Sequence, residues 1–340
     1  MCKITYKIDD MYKKPDYSLT NVEKWCVTEN ENDQRIDNFL FKHCKDIPKS
    51  HIYQLLRSGQ IRINGKRVSA NYRLQLDDMV RIPPIRRATA DPRTPISIAA
   101  SNFVNFQTLF EDDALLVLDK PAGMAVHGGS GISHGVIEQL RAQHRSWKFL
   151  ELAHRLDKET SGVLLLAKKR SALTELHRQI REGLTEKHYW AMVQGQWRHP
   201  KQHVKLALTK YVTAAGERRV AIAKDTPDGM EAHTIFKLHS AWKNFSLLNA
   251  ELKTGRTHQI RVHLAHLGFP ILGDDKYGNF ECNRQLAKGN TLANLTRMFL
   301  HAHTLQITHP ITRTRMTLQS PMPRELQKFM DALGSVDVLR

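Results

Sequence analysis

His154-Arg155-Leu156-Asp157-Lys158-Glu159-Thr160-Ser161-Gly162 runs directly into Val163-Leu164-Leu165-Leu166. A charged segment that gives way to an apolar run predicts a polar turn opening onto a strand. Such a turn can hold one side chain in a cleft while the strand anchors its backbone, so Asp157 is the residue to explain. Taken alone, an aspartate in a turn is better read as a turn or cap hydrogen-bonding group.

Asp157 is not alone. Thirty residues downstream, Lys187-His188-Tyr189 stands at the start of an apolar strand, followed by Thr254-Gly255-Arg256-Thr257-His258-Gln259-Ile260-Arg261-Val262-His263. Lys120-Pro121-Ala122-Gly123-Met124-Ala125-Val126-His127-Gly128-Gly129, Asp274-Asp275-Lys276-Tyr277-Gly278 and Phe299-Leu300-His301-Ala302 lie around these motifs. In this order, over residues 30 to 330, the segments resemble the RluA-type pseudouridine synthases. That resemblance implies cleavage of a uridine N1 glycosidic bond in RNA, rotation of the uracil, and formation of a C5 bond to the same ribose. The implied substrate is large-subunit (23S) ribosomal RNA, with no metal or other cofactor. It makes Asp157 the carboxylate working at C1′, by attack or by abstraction of a sugar proton. Tyr189 becomes the stacking aromatic that can relay the C5 proton, and Arg261 the guanidinium that keeps Asp157 charged and aimed. Spacing alone leaves Arg256 as a competitor for that last role. Ile260, Leu264 and Leu267 mark the apolar stripe of a helix stopped by Gly268, and Arg261 falls off it, as a solvated cation would.

Across 340 residues, 51 lysines and arginines outnumber 34 acidic residues, a net +17 that suits a polyanionic partner. No apolar stretch approaches the roughly 18 residues of a membrane span, and the N-terminus is too polar for a signal peptide, so a cytosolic protein is expected; a monomer is the expected state. Cys2, Cys26, Cys44 and Cys282 lack CxxC spacing and read as reduced thiols.

Residues 34–87 hold 12 lysines and arginines against 4 aspartates, a net +8. Ile36, Phe39 and Leu40, then Ile52, Leu55 and Leu56, predict two short helices. Ile61-Arg62-Ile63 and Arg67-Val68 flank Asn64-Gly65 as a predicted hairpin, and Leu74, Leu76, Val80 and Ile82 read as further strand material. This helix-helix-hairpin order resembles the S4 RNA-binding domain. Its cations follow both helices and the hairpin, which favours a phosphate-tracking surface over a merely solvated one; Arg35, Lys49, Arg57, Arg62, Lys66 and Arg67 are its candidates, with Arg155 beside the Asp157 turn.

The expected class is α+β: an arm (1–31), an S4-like domain (32–84), a proline-punctuated linker (85–103), and a mixed, largely antiparallel synthase domain (104–330). Leu115 to Leu118, Val163 to Ala167, Tyr189 to Val193 and Phe245 to Leu252 read as strands, and Leu173, Leu176 and Ile180 as one helix face. Without regular intervening helices a doubly wound sheet is disfavoured. His258, His263 and His266 miss the i, i+4 metal pair and read as surface or RNA-facing. Gly128-Gly129-Ser130-Gly131 resembles a phosphate loop but lacks the Walker Gly-Lys-Ser/Thr, and reads as a flexible loop. Two other functions compete: a catalytically inactive RNA-binding assembly factor, and a metal-dependent nuclease, which needs clustered carboxylates the sequence does not offer.

Overall fold

The computed structural model describes residues 22–44, 47–85, 104–128, 134–214, 216–223, 229–289 and 294–334, and the chain divides into two compact units. In the first, β1 (Glu23–Cys26) precedes α1 (Ile36–His43), α2 (Lys49–Arg57), β2 (Arg62–Ile63) and β3 (Met79–Ile82). Both helices form where the apolar spacing predicts them. Their six marker residues are buried and close on Ile61, Ile63, Leu74, Val80 and Ile82. The strands form an antiparallel sheet in the order β1-β3-β2.

Three expectations change in this unit; of the residues read as further strand material only Val80 and Ile82 stand in β3, while Leu74 and Leu76 lie outside the strands, Leu76 in a turn beside Asp77, whose φ is 65°. Asn64 and Gly65 do turn with positive φ, 50° and 77°, as a two-residue hairpin requires. Arg67-Val68, however, does not return as a strand; after the Ile63–Lys66 bridge, β2 finds its ladder in β3. The Asn64 side chain explains this, since its amide donates to Asp78 Oδ1 at 2.7 Å and its oxygen accepts from the Met79 N–H at 2.8 Å, tying the turn to β3. Residues 23–26, inside the stretch read as an arm, form an edge strand. Trp25 anchors it, with ring centroids 5.9 Å from Phe39 and 4.3 Å from His43. Glu23-Lys24-Trp25-Cys26 offers no apolar run to announce a strand. The rest of the expected arm (1–21), the linker beyond Ile85, and Gly129 to Gly131 of the glycine loop lie outside the described residues.

The second unit begins with β4 (Gln107–Glu111), β5 (Leu115–Lys120), α3 (Val136–Gln143), β6 (Glu151–Leu152), β7 (Ser161–Ala167) and α4 (Arg170–Arg181). It continues through β8 (Glu186–Gln194), β9 (Lys201–Lys205), β10 (Leu208–Val212), β11 (Arg218–Ile222), β12 (His233–Ala241), β13 (Phe245–Leu252) and α5 (Gln259–His266). The last elements are α6 (Phe280–Lys288), β14 (Leu300–Thr308), β15 (Arg315–Gln319) and α7 (Arg324–Ala332). One ten-stranded sheet runs β4-β5-β7-β14-β8-β13-β12-β9, with β15 also on β14 and β6 also on β7, while β10 and β11 form a separate ribbon. Every pairing is antiparallel except β7 with β14. This is the mixed, largely antiparallel α+β architecture expected.

All seven residues of β7 are buried because both sheet faces are covered. Leu164 and Leu166 face one core, with Tyr189, Ala191 and Val193, whereas Val163 and Leu165 face another, with Ala172, Leu173 and Leu176 near α4. The parallel seam is tight. Gly162 has φ +112°, and a Cβ there would meet the Ala302 carbonyl oxygen at 2.2 Å, so β7 and β14 meet backbone to backbone.

Candidate active site

The sheet sets small residues on either side of Tyr189. Gly162 on β7 pairs with Ala302 on β14, Ala302 with Tyr189 on β8, and Tyr189 with Ala250 on β13. Paired residues share a face, so the Tyr189 ring stands in a row of small residues. Beside Tyr189 lies an open pocket of about 250 Å³, walled by the turn before β7, by β8, and by the segment leading into α5. Asp157, Arg155, Tyr189, Arg256 and Arg261 all line it. The structure therefore brings together the three catalytic candidates, from positions up to 104 residues apart.

The Asp157 turn is fastened on both sides. Leu156 is buried in the core, which turns its neighbours Arg155 and Asp157 outward, and the Thr160 N–H donates to the Asp157 carbonyl at 3.1 Å. From the end of β5 the buried Lys120 ammonium donates to the carbonyls of Pro121, Met124 and Lys158 at 2.7, 2.8 and 3.1 Å. Burial pulls its pKa down to about 7, partly offset by Glu159. His154 is also held inside, where Nε2 accepts from the Leu165 N–H at 3.1 Å and burial lowers its pKa to about 4, leaving it neutral.

Arg261 is no solvated cation; its side chain is 3% exposed. Nε donates to Asp274 Oδ2 at 2.8 Å and Nη2 to Asp274 Oδ1 at 2.6 Å, a two-pronged pair whose carboxylate also accepts the Lys276 and Tyr277 N–H groups. Asp275 adds a contact at 3.1 Å, and the free prong, Nη1, lies 3.5 Å from Asp157 Oδ2. Burial opposes charge on Arg261, but Asp274, helped by Asp157 and Asp275, outweighs it and raises the pKa. Arg256 is exposed and donates to the Glu231 carbonyl at 2.9 Å, so Arg261 is the arginine at ion-pair distance from Asp157.

Tyr189 is buried, and burial followed by the Asp157 charge pushes its phenol up, which keeps the hydroxyl protonated. His258 takes a left-handed conformation, φ 54°, just before α5; its Nδ1 lies 2.8 Å from the Tyr277 hydroxyl and its Nε2 4.0 Å from Asp157 Oδ2. The histidines expected at the surface thus divide. His266 is exposed, whereas His263 is fully buried, bonded to Thr234 Oγ1 at 3.0 Å and to the Leu206 carbonyl at 3.1 Å. The sequence reading missed Asp274, His258 and Lys120 as site builders, although all three lie in segments quoted above for the family resemblance.

In the first unit, Arg57 and Arg67 line one groove, and Lys66 with Arg67 an adjoining one. Lys49 is exposed and lies 5.1 Å from the Phe41 ring centroid. Arg35 is engaged by the buried Asp37 at 2.6 Å, and Arg62 turns onto the Gly59 carbonyl at 3.0 Å, so these two are less available to a ligand. No helix among the described residues is long and apolar enough to cross a membrane.

The chain belongs to the RNA pseudouridylate synthase family, which residues 114–266 match, and residues 34–80 match the S4 domain, an RNA-binding module. It is accordingly an isomerase that acts on RNA. Among its relatives, the ribosomal large subunit pseudouridine synthase C of Escherichia coli (strain K12) is 46% identical over 90% of this chain and 95% of that protein. The synthase C of Pasteurella multocida (strain Pm70) is 44% identical over 95% and 98%. A solved structure, human RNA pseudouridylate synthase domain containing 4, superposes with a TM-score of 0.55 at 25% identity, covering 69% of this chain and 95% of that one.

Proposed function

We propose that this protein converts uridines of large-subunit (23S) ribosomal RNA to pseudouridine, with Asp157 as the carboxylate at C1′. The observation that carries this reading is Asp157 Oδ2 at 3.5 Å from a buried arginine, in a pocket walled by a buried tyrosine. A guanidinium already held by Asp274 offers its last prong in a fixed direction, which aims the carboxylate without locking it into close contact. The target base must leave the RNA stack to reach this depth. Tyr189 supplies the face that receives it, and its protonated hydroxyl stands ready to relay the C5 proton. Tritium release from RNA carrying C5-tritiated uridine tests the activity directly: release from wild type is expected, and its absence would favour the inactive assembly factor. The relatives' names support a ribosomal substrate.

Stacking and relay separate on substitution. Stacking of a base on an aromatic ring contributes about 1–3 kcal/mol. Tyr189→Phe is expected to bind target RNA normally and cleave N1 but stall before tritium release, whereas Tyr189→Leu loses affinity as well. A fully active Phe variant would remove the relay role.

The reading extends to residues 32–84 as the docking module and 104–330 as the catalytic domain, in a cytosolic monomer, for which light scattering of the purified protein is the direct measurement. Arg57, Lys66, Arg67 and Lys49 carry the RNA backbone in the module, with Arg155 at the pocket mouth. Each phosphate contact releases about 0.7–0.9 counterion equivalents. Combined Arg57→Ala, Lys66→Ala and Arg67→Ala changes should therefore lower the slope of log K against log salt by about 2. An unchanged slope would turn that face to solvent.

A further inference from the structure

We infer that Lys187 is a catalytic residue of this site, its ammonium hydrogen-bonding a carbonyl oxygen of the target uracil and stabilising the base as an anion once N1 is cut. The inference rests on the isomerase reading above.

Lys187 and Tyr189 are two apart on β8, so both side chains project from one face about 6.6–6.8 Å apart, and both line the Asp157 pocket. A base lying against Tyr189 therefore has Lys187 beside it. The segment before α5 makes room there: a Cβ on Gly255 would lie 3.8 Å from Lys187 Nζ, where glycine leaves open space. Lys187 has neither a hydrogen-bond acceptor nor an ion-pair partner among the described residues, although carboxylates lie elsewhere in the same site. Asp274 and Asp275 are taken by Arg261, and Asp157 faces Arg261 and His258. Burial lowers the Lys187 pKa, and no group among the described residues offsets it. Three ammonium hydrogens in a concave, partly desolvated place without an acceptor are costly unless a ligand completes them.

The reaction supplies that acceptor. Whether Asp157 attacks C1′ or removes a sugar proton, the N1–C1′ electron pair departs with N1. The negative charge spreads through the ring onto O2 and O4 until C5 bonds to C1′ and loses its proton. A cation fixed beside the ring meets charge that develops on the way to the cleaved state, which is where such a donor has its largest effect. No proton needs to move to or from Lys187; it donates a hydrogen bond throughout. The cation also retains the detached base while it turns.

Lys187→Met tests this in the full-length protein under single-turnover conditions, on RNA carrying uridine or 5-fluorouridine at the target. Loss of target nucleoside is followed by chromatography of digested RNA, with Asp157→Asn as a control that must be inactive on both. Removing one preorganised donor costs about 10²–10³ in rate. The expected result on uridine is a loss of that size with RNA affinity changed less than about threefold. Fluorine withdraws electrons and makes uracil a better leaving group, so the loss on 5-fluorouridine should be at least tenfold smaller. The melting temperature should hold or rise, because an unpaired charge has been removed. Equal losses on both substrates, an unchanged rate, or a variant that fails to fold would overturn the assignment. So would weakened binding with a flattened salt slope and an unchanged rate, which would make Lys187 a phosphate contact. If wild type also fails on both RNAs, the isomerase reading itself has failed.

Discussion

Asp157→Asn is expected to reduce pseudouridine formation by about four orders of magnitude or more, with the protein still folded and still binding RNA. Losses of that size follow when the group forming or breaking the central bond is removed. Stability should change by less than about 1 kcal/mol, because the turn is secured by other atoms. Its backbone carbonyl takes the Thr160 N–H, Lys120 holds the Lys158 carbonyl, and Arg261 keeps two other carboxylates. Tritium release, RNA binding and thermal melting on one preparation check the three parts together. Turnover near wild type would sink the assignment of Asp157.

Asp274→Ala should fail differently, losing stability and activity at once. The Arg261–Asp274 pair is almost entirely buried, with side chains 3% and 1% exposed. Removing one partner of such a pair leaves an uncompensated charge and costs roughly 3–5 kcal/mol. For a unit of this size that corresponds to a fall in melting temperature on the order of 10 °C. The same change frees the guanidinium that is aimed at Asp157. Arg261→Lys sharpens the point, since it keeps the charge but loses the two-pronged geometry and should still cost activity. Arg256→Ala, which removes only an exposed bond to a carbonyl, should be tolerated; harmless Arg261 variants beside a dead Arg256→Ala would reverse the two arginines.

The contrast between those carboxylates marks what the sequence could reveal. Apolar runs such as Val163 to Leu166 and Phe245 to Leu252 announce their strands because burial on one or both faces writes itself into composition. The S4 helices announce themselves by spacing. Arg261 could not be placed by periodicity, because an arginine off the apolar stripe reads as solvated unless its partners are known, and Asp274 and Asp275 lie 13 and 14 residues further on. His263 misled for the same reason, with its hydrogen-bond partners on segments 29 and 57 residues away. Arg67-Val68 looked like a returning strand because β-propensity is local, whereas the ladder was decided by the Asn64 amide reaching Asp78. The motif resemblance named Asp157, Tyr189 and Arg261 together; only tertiary structure could put distances between them.

The tight seam between Gly162 and Ala302 also dictates when the pocket can exist. β14, which lies between β7 and β8 in the sheet, comes from residues 300–308, beyond the 114–266 stretch that matches the family. As the chain leaves the ribosome N-terminus first, the strands next to Asp157 and beneath Tyr189 are made long before the strand that joins them. Until β14 emerges, Tyr189 lacks one of its flanking neighbours and the Ser161–Gly162 end of β7 lacks its partner, an incomplete sheet of the kind that invites wrong pairing. The basic N-terminal module, complete more than two hundred residues earlier, can therefore engage RNA before the synthase has a working site.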